Sequence, residues 1–192
     1  PVAAWAAMTR PEVFPRLVLM SAPFGVSTTN VFDAVARLEP ARAHYHQYYA
    51  TPTADRDMRD PPQGLHDFLR GYFHYKSGDH VANRTRPLTE YELGSLPTYY
   101  VMEAGKTMPE TVLDEMPAEP SNWLTDDELA TYCREYRRTG FQGGLNWYRA
   151  RIAGVDSAER STIRVPTAFI AGKHDWGVYQ SPGTFESMQS TI

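Results

Sequence analysis

The chain is poor in several things that would settle its class at once. It has one cysteine, Cys133. No intrachain disulfide can form, and a reducing, cytoplasmic setting is the natural expectation. It lacks an excess of positive charge. Lys and Arg number 19 against 23 acidic residues, the net charge is −4, and the basic residues are scattered, so neither nucleic acid nor an anionic membrane surface is the expected partner. It lacks any apolar run near the roughly 20 residues that cross a bilayer. The opening PVAAWAAM has no basic leader or cleavage site, so it does not read as a signal peptide. There is no Gly-rich phosphate loop, no internal repeat and no low-complexity tract.

What is present is a globular composition, 42% hydrophobic over 192 residues, enough for one domain or one domain with a subdomain. Ala3, Ala4, Ala6 and Ala7, with Trp5 and Met8 on an apolar stripe, predict a helix that Pro11 and Pro15 stop. LVLMSAP (17–23) then reads as a short strand buried on both faces, and IRVPTAFIAG (163–172) as a second. A domain rarely opens inside a helix leading straight to a strand, and the pattern reads as the middle of one. Between the strands, residues 32–150 are rich in aromatic and charged residues at helical spacing. Leu65, Phe68, Leu69, Tyr72 and Phe73 mark one face of a helix. Thr107 with Glu110, and Thr125 with Glu128, have capping-box spacing, and Gly140 ends the second helix. TYYVM (98–102) is ambiguous. Ser181 and Pro182 read as an N-cap and first helical residue. The fold class is therefore α/β: two parallel strands with a helical insertion.

Asp175 lies just past the second strand, where catalytic groups of open α/β sheets collect. Three readings compete. As a nucleophile on a strained strand-to-helix elbow, it needs small residues two places to either side; Gly177 supplies one and Lys173 fails the other. As an acid that orients a catalytic His, it tolerates Lys173 and suits a position after the insertion. As a turn or helix-start carboxylate, it needs no further role. Other candidates carry less. Asp55, Asp57 and Asp60 lack the spacing of a calcium loop and read as a solvated acidic turn. His44 and His46 are two apart and would face different ways on a helix. His66 and His74 join no metal constellation. Asn83-Arg84-Thr85 is a glycosylation sequon, relevant only to a secreted chain. Cys133 reads as a small buried apolar residue.

Four segments in order, LVLMSAPFG, AHYHQYY, GFQGGLNWYR and FIAGKHDWG, resemble the epoxide-hydrolase branch of the α/β-hydrolase superfamily over nearly the whole chain. Asn146-Trp147-Tyr148-Arg149 is the most specific string. The resemblance implies a partial α/β-hydrolase parallel sheet, residues 1–31 and 151–192, interrupted by a helical cap, residues 32–150. It implies that Tyr45 and Tyr148 are the two cap tyrosines that donate to the epoxide oxygen, with Tyr48 or Tyr49 as other registers of the first. Phenols suit that task because ring opening develops an alkoxide, which their hydroxyls can stabilise in a dry site. It makes Asp175 the His-orienting acid and places Phe24, Tyr48, Phe141 and Trp147 on the substrate wall. It implies a small-molecule epoxide as partner, a vicinal diol as product, and neither metal nor cofactor. Most of the twelve Tyr are still expected to be amphipathic core residues. The family's Asp elbow, its catalytic His and its His-Gly loop match nothing in this sequence; residues 176–192 contain no His. The chain therefore reads as the middle and cap of a hydrolase, without turnover alone. The rivals are another cap-bearing hydrolase, a dehalogenase or esterase, which the tyrosine pair disfavours for the dehalogenase, and a non-catalytic binding protein on the same fold.

Overall fold

A computed structural model describes residues 2–25, 27, 29–119, 121–154 and 162–188. Helix α1 (Val2–Thr9) leads to strand β1 (Leu17–Met20), which pairs in parallel with β4 (Thr167–Ile170), Leu17 opposite Thr167 and Met20 opposite Ile170. The chain between them forms α2 (Val31–Ala36), β2 (Arg42–His44), α3 (Tyr45–Tyr49), α4 (Ala54–Arg59), α5 (Leu65–Lys76), β3 (Val101–Glu103), α6 (Met108–Thr111), α7 (Asp126–Thr139) and α8 (Gln142–Ile152). A 3₁₀ turn at Trp176–Val178 and helix α9 (Thr184–Met188) follow β4.

The helical region forms because its signals agree with one another. Both predicted capping boxes are made: Thr107 Oγ1 and Thr125 Oγ1 each accept the amide of the Glu three residues on, and each Glu answers at the cap residue's own N–H. A third box, Thr89 with Glu92, caps the 3₁₀ turn Glu90–Ser95. Helix α7 opens on Asp126, Asp127 and Glu128 and closes on Arg137 and Arg138, the charge order that its dipole favours. Gly140 then takes φ 65°, a left-handed conformation. Helix α5 buries Leu65, Phe68 and Leu69 against α7 and leaves Tyr72 and Phe73 half-buried. The short β2–β3 pair, antiparallel with His44 opposite Val101, extends through the Tyr45 amide, which donates to the Tyr100 carbonyl at 2.9 Å. That bond fixes the first turn of α3. TYYVM thus becomes strand only from Val101 onward.

Four expectations need correction. Neither long strand is buried on both faces: Val18, Met20 and Ile170 are 55%, 69% and 55% exposed. The two strands pair only with each other among the described residues, and α1 covers one face, so only Leu17 and Leu19 join Ala4, Ala7 and Ile163 in a small cluster. Ser181 and Pro182 do not start α9; they lie in a turn whose Ser181 carbonyl accepts the Thr184 amide, and the helix begins after Gly183, at φ 78°. Asp55 is not solvated. It accepts the amides of Phe141 and Gln142 at 2.6 and 3.0 Å and so caps α8 from another helix. His44 and His46 do not face apart, because His44 ends β2 rather than sitting on the helix. Cys133 is buried as expected. Asn83 is only 1% exposed; its amide donates to the Tyr75 and Ser77 carbonyls and its oxygen accepts from Tyr99, so the sequon offers no free acceptor for a glycan.

Candidate active site

Helices α3 and α8 pack against each other and bring Tyr45 and Tyr148 together with ring centroids 5.8 Å apart, edge to face. Both line a cavity of about 330 Å³, with Phe24 and Trp147 also on its wall. Two devices hold α8 in place. Asp55 caps its N-terminus, and Arg149 donates to the Thr51 carbonyl at 3.0 Å. Gly140, just before α8, leaves room for the first: a Cβ there would stand 2.7 Å from the Asp55 carboxylate.

Behind Tyr148 lies a second, more apolar cavity of about 540 Å³, lined by Phe141, Trp147, Tyr49, Tyr72 and Phe68 among others. Tyr148 and Trp147 belong to both walls, so α8 is the partition between them. Tyr49 faces the second cavity and its hydroxyl meets that of Tyr72 at 3.1 Å. Tyr48 is on neither wall; its ring packs beside Tyr49 at 5.6 Å. Of the three registers for the first tyrosine, Tyr45 shares the first cavity with Tyr148 and Tyr49 the second, with ring centroids 5.8 and 4.9 Å from that of Tyr148.

Burial pushes the Tyr45 phenol well above its ordinary pKa, with Tyr148 and Tyr100 nearby adding to the effect, and pushes Tyr148 up to about 12. Both are therefore proton-bearing donors at neutral pH. The Tyr45 hydroxyl donates to Gln180 Oε1 at 3.4 Å, and Gln180 Nε2 donates to the Gly177 carbonyl at 3.3 Å. These are long bonds, but they connect the tyrosine to the turn that carries Asp175.

Asp175 itself faces a different side of that turn. It caps the 3₁₀ turn through the Gly177 amide at 2.7 Å and lines a groove with Tyr99, Tyr100 and Lys76; Gly177, but not Asp175, is on the wall of the cavity shared by Tyr45 and Tyr148. The turn-carboxylate reading thus describes a contact Asp175 makes. Its loop is tied to residues 81–85 at three points: Thr85 Oγ1 donates to the Lys173 carbonyl, His174 Nδ1 to the Asn83 carbonyl and Trp176 Nε1 to the Ala82 carbonyl, at 2.7, 3.0 and 2.9 Å. His174 gives its Nδ1 to that clamp and lines the same groove as Asp175. Gly177 permits a close approach to β1, since a Cβ would fall 2.3 Å from Ser21 Oγ, and Ser21 itself takes φ 65°, rare for a residue with a side chain.

Sequence reasoning missed several residues of the first cavity. His44 and His46 stand on its wall with ring centroids 4.5 Å apart, and Arg151, Phe32, Trp5 and Gln180 are also on it. A strand as short as Arg-Ala-His gives no period-2 signal, so nothing local marked His44 as a strand end. Among the described residues no group of three or more His, Cys, Asp or Glu could hold a metal, and no helix is long and apolar enough to cross a membrane.

Comparison with known proteins agrees with the motifs. Over 79 residues the chain is 42% identical to epoxide hydrolase A of Mycobacterium tuberculosis, covering 35% of this chain and 22% of that protein. Over 201 residues it is 27% identical to an epoxide hydrolase of Caballeronia sordidicola, covering 98% of this chain and 53% of that one. Its fold matches the solved epoxide hydrolase from an endophytic Streptomyces with a TM-score of 0.68 at 26% identity, covering 92% of this chain and 50% of that one. No family model matches. The chain spans at most about half the length of these relatives. It resembles the epoxide-hydrolase branch in both sequence and structure, and its fold is a partial α/β-hydrolase sheet with a helical cap.

Proposed function

We propose that this chain supplies the tyrosine pair and the His-orienting acid of an enzyme that hydrolyses epoxides to vicinal diols. The observation that carries the reading is the meeting of Tyr45 and Tyr148, from two separate helices, in one cavity beside the Asp175 turn. Two buried phenols on one wall can hold a single oxygen. As the ring opens, the negative charge grows on that oxygen, and hydroxyls kept protonated by burial stabilise it and then supply a proton. A carboxylate attacks a ring carbon and forms an ester; a water activated by an imidazole then cleaves the ester and releases the diol. On this reading the segments that carry that carboxylate and that imidazole have no counterpart in these 192 residues. Asp175 does not serve as the attacking group on this reading, because its carboxylate lies off the tyrosine wall. It serves by fixing an imidazole from behind.

The same reading divides the chain into core segments 1–31 and 151–192 and a cap at 32–150. On this reading Phe24 and Trp147 contact the hydrocarbon part of the epoxide in the first cavity, while Phe141 lines the second. Tyr48 drops out as a substrate contact. The setting is the cytoplasm, where a lone buried Cys133 stays a thiol.

The test is binding by the chain as it stands. Styrene-derived diol is titrated while the fluorescence of Trp5 and Trp147, both on the cavity wall, is followed. Saturable binding, weakened about tenfold by Tyr45→Phe and again by Tyr148→Phe, is the expected result, each change removing one hydrogen bond of about 1.4 kcal/mol. Binding indifferent to both substitutions would refute the tyrosine site.

A further inference from the structure

The proposed chemistry makes no use of the second cavity, yet at about 540 Å³ it is the larger of the two and lies within the range of small-molecule sites. Its walls are built of rings. Tyr136 stacks on Phe141 with centroids 4.1 Å apart and 12° between the planes, and Phe68 meets Phe141 edge to face at 6.3 Å. The hydroxyls of Tyr49 and Tyr72 on the same wall are engaged with each other. None of the described residues that line it is charged. Gly143 and Gly144, in the first turn of α8, are exposed and also on the wall, so the cavity meets solvent there. Glycine is a poor helix former, and its usual reasons are a positive φ or a close approach. Neither reason holds here. Both residues are absent from the positive-φ glycines, and a Cβ on either would meet nothing within 4 Å. What the pair preserves is open space. At i+4 from the two glycines stand Trp147 and Tyr148, so Gly143 and Gly144 share the helix faces that carry the cavity wall.

We propose that the second cavity is a separate binding site for a neutral, aromatic small molecule, entered past Gly143 and Gly144. An aromatic ligand suits walls that are almost wholly rings, because stacked and edge-to-face pairs add attraction beyond the area they bury. A charged ligand would shed its water against rings and glycine with no countercharge on the wall. A side chain at 143 or 144 would stand in the entrance, and the glycine pair keeps it clear at a cost to the helix. The site does not depend on the epoxide reading. It touches the first cavity through Trp147 and Tyr148, which lie on both walls.

The test titrates two probes into the chain as it stands and follows the heat of binding: indole, neutral and aromatic, and indole-3-carboxylate, its charged counterpart. Indole is expected to bind saturably and at least about tenfold more tightly than the carboxylate. Gly143→Leu and Gly144→Leu, combined in one variant, put good helix formers into α8. Helical circular dichroism and the heat of styrene-derived diol binding should stay as they were, while indole affinity falls at least about tenfold. A second measurement needs no substitution: chain saturated with indole should still take up the diol. Absence of saturable indole binding overturns the site and leaves the tyrosine site standing, and so does an indole affinity that the Leu variant keeps. Mutual exclusion of indole and diol, or indole binding weakened by Tyr45→Phe as strongly as diol binding, puts indole in the first cavity and also overturns it. If the diol fails to bind but indole binds and the Leu variant loses it, the tyrosine reading fails and this site stands.

Discussion

The helical region and the strand region of this chain are built to different standards. Around α3, α5, α7 and α8 one continuous core runs from Val35 to Trp176, including Phe68, Leu93, Met108 and Leu129 at 0% exposure. Its helix ends and its buried Arg70 are well partnered: three capping boxes close, and Arg70 donates to the Leu124 carbonyl at 2.6 Å and pairs with Asp126. The strand region has two paired strands, a cluster of five buried residues and an outer sheet face of bare Val18, Met20 and Ile170. The candidate site lies on the joint between the two regions. Tyr45 and Tyr148 come from the first and Asp175 from the second, and the Tyr45–Gln180 bond and the clamp at residues 81–85 tie the two regions together. The difference teaches that Tyr45 and Tyr148 are positioned by a large helical core, whereas Asp175 is positioned by the attachments of its turn to that core, Trp176 among them.

The largest expected effect sharpens this comparison directly. Phe68→Ala empties a fully enclosed position of the helical core and should cost about 3–5 kcal/mol, whereas Leu19→Ala in β1, where the cluster is small and open to one side, should cost about 2 kcal/mol. Chemical denaturation of both variants checks the ranking. An equal or larger loss for Leu19→Ala would mean that the sheet, not the helical core, carries the stability.

A smaller effect comes with acid and acts on the helical region alone. Burial is the main reason that His44 and His46 are held down to about 3 and about 2, with Arg151 and, for His46, the neighbouring His44 contributing. In the unfolded chain both titrate near 6.5. Between those limits the unfolded state takes up protons that the folded state refuses, so stability is fully present above about pH 6.5 and is lost as the pH falls. By pH 5 the loss is on the order of 2 kcal/mol for each imidazole, before any relaxation of the site. Hydrogen exchange followed from pH 7 to 5 should show α3 and α8 losing protection, and His46→Leu should flatten that dependence. A flat profile in the unmodified chain would show that water reaches the imidazoles.

Legibility in the sequence followed the same division. The helical region announced itself through caps and apolar periodicity: Thr125 and Glu128, the Leu65 to Phe73 face and Gly140 all do in the structure what their spacing says. Motifs singled out Tyr148 and Tyr45 because a whole string, not one residue, carried each, and the fold brings the two rings within 5.8 Å. What stayed hidden depended on contacts distant in sequence. Asp55 looked like one of three solvated carboxylates, yet it caps a helix 86 residues away. His44 and His46 looked opposed because a three-residue strand leaves no pattern. The apolar runs at β1 and β4 promised two covered faces, but a run of Leu, Val and Met reports that a face wants cover, not that a layer lies on it. Asp175 could be placed after its strand, but which way the carboxylate turns was decided by the Gly177 amide.

The central claim is that Tyr45 and Tyr148 activate an epoxide while Asp175 acts through an imidazole rather than on the substrate. The most direct measurement is diol formation from styrene-type epoxides, by the chain alone and by the chain joined to an upstream Gly-x-Asp-x-Gly segment and a downstream His segment. The account predicts no diol from the chain alone, turnover in the joined protein, and a fall of about a hundredfold in that turnover with Tyr148→Phe, the scale of losing one donor to a developing oxyanion. Diol formation by the chain alone, abolished by Asp175→Ala, would contradict it and make Asp175 the nucleophile.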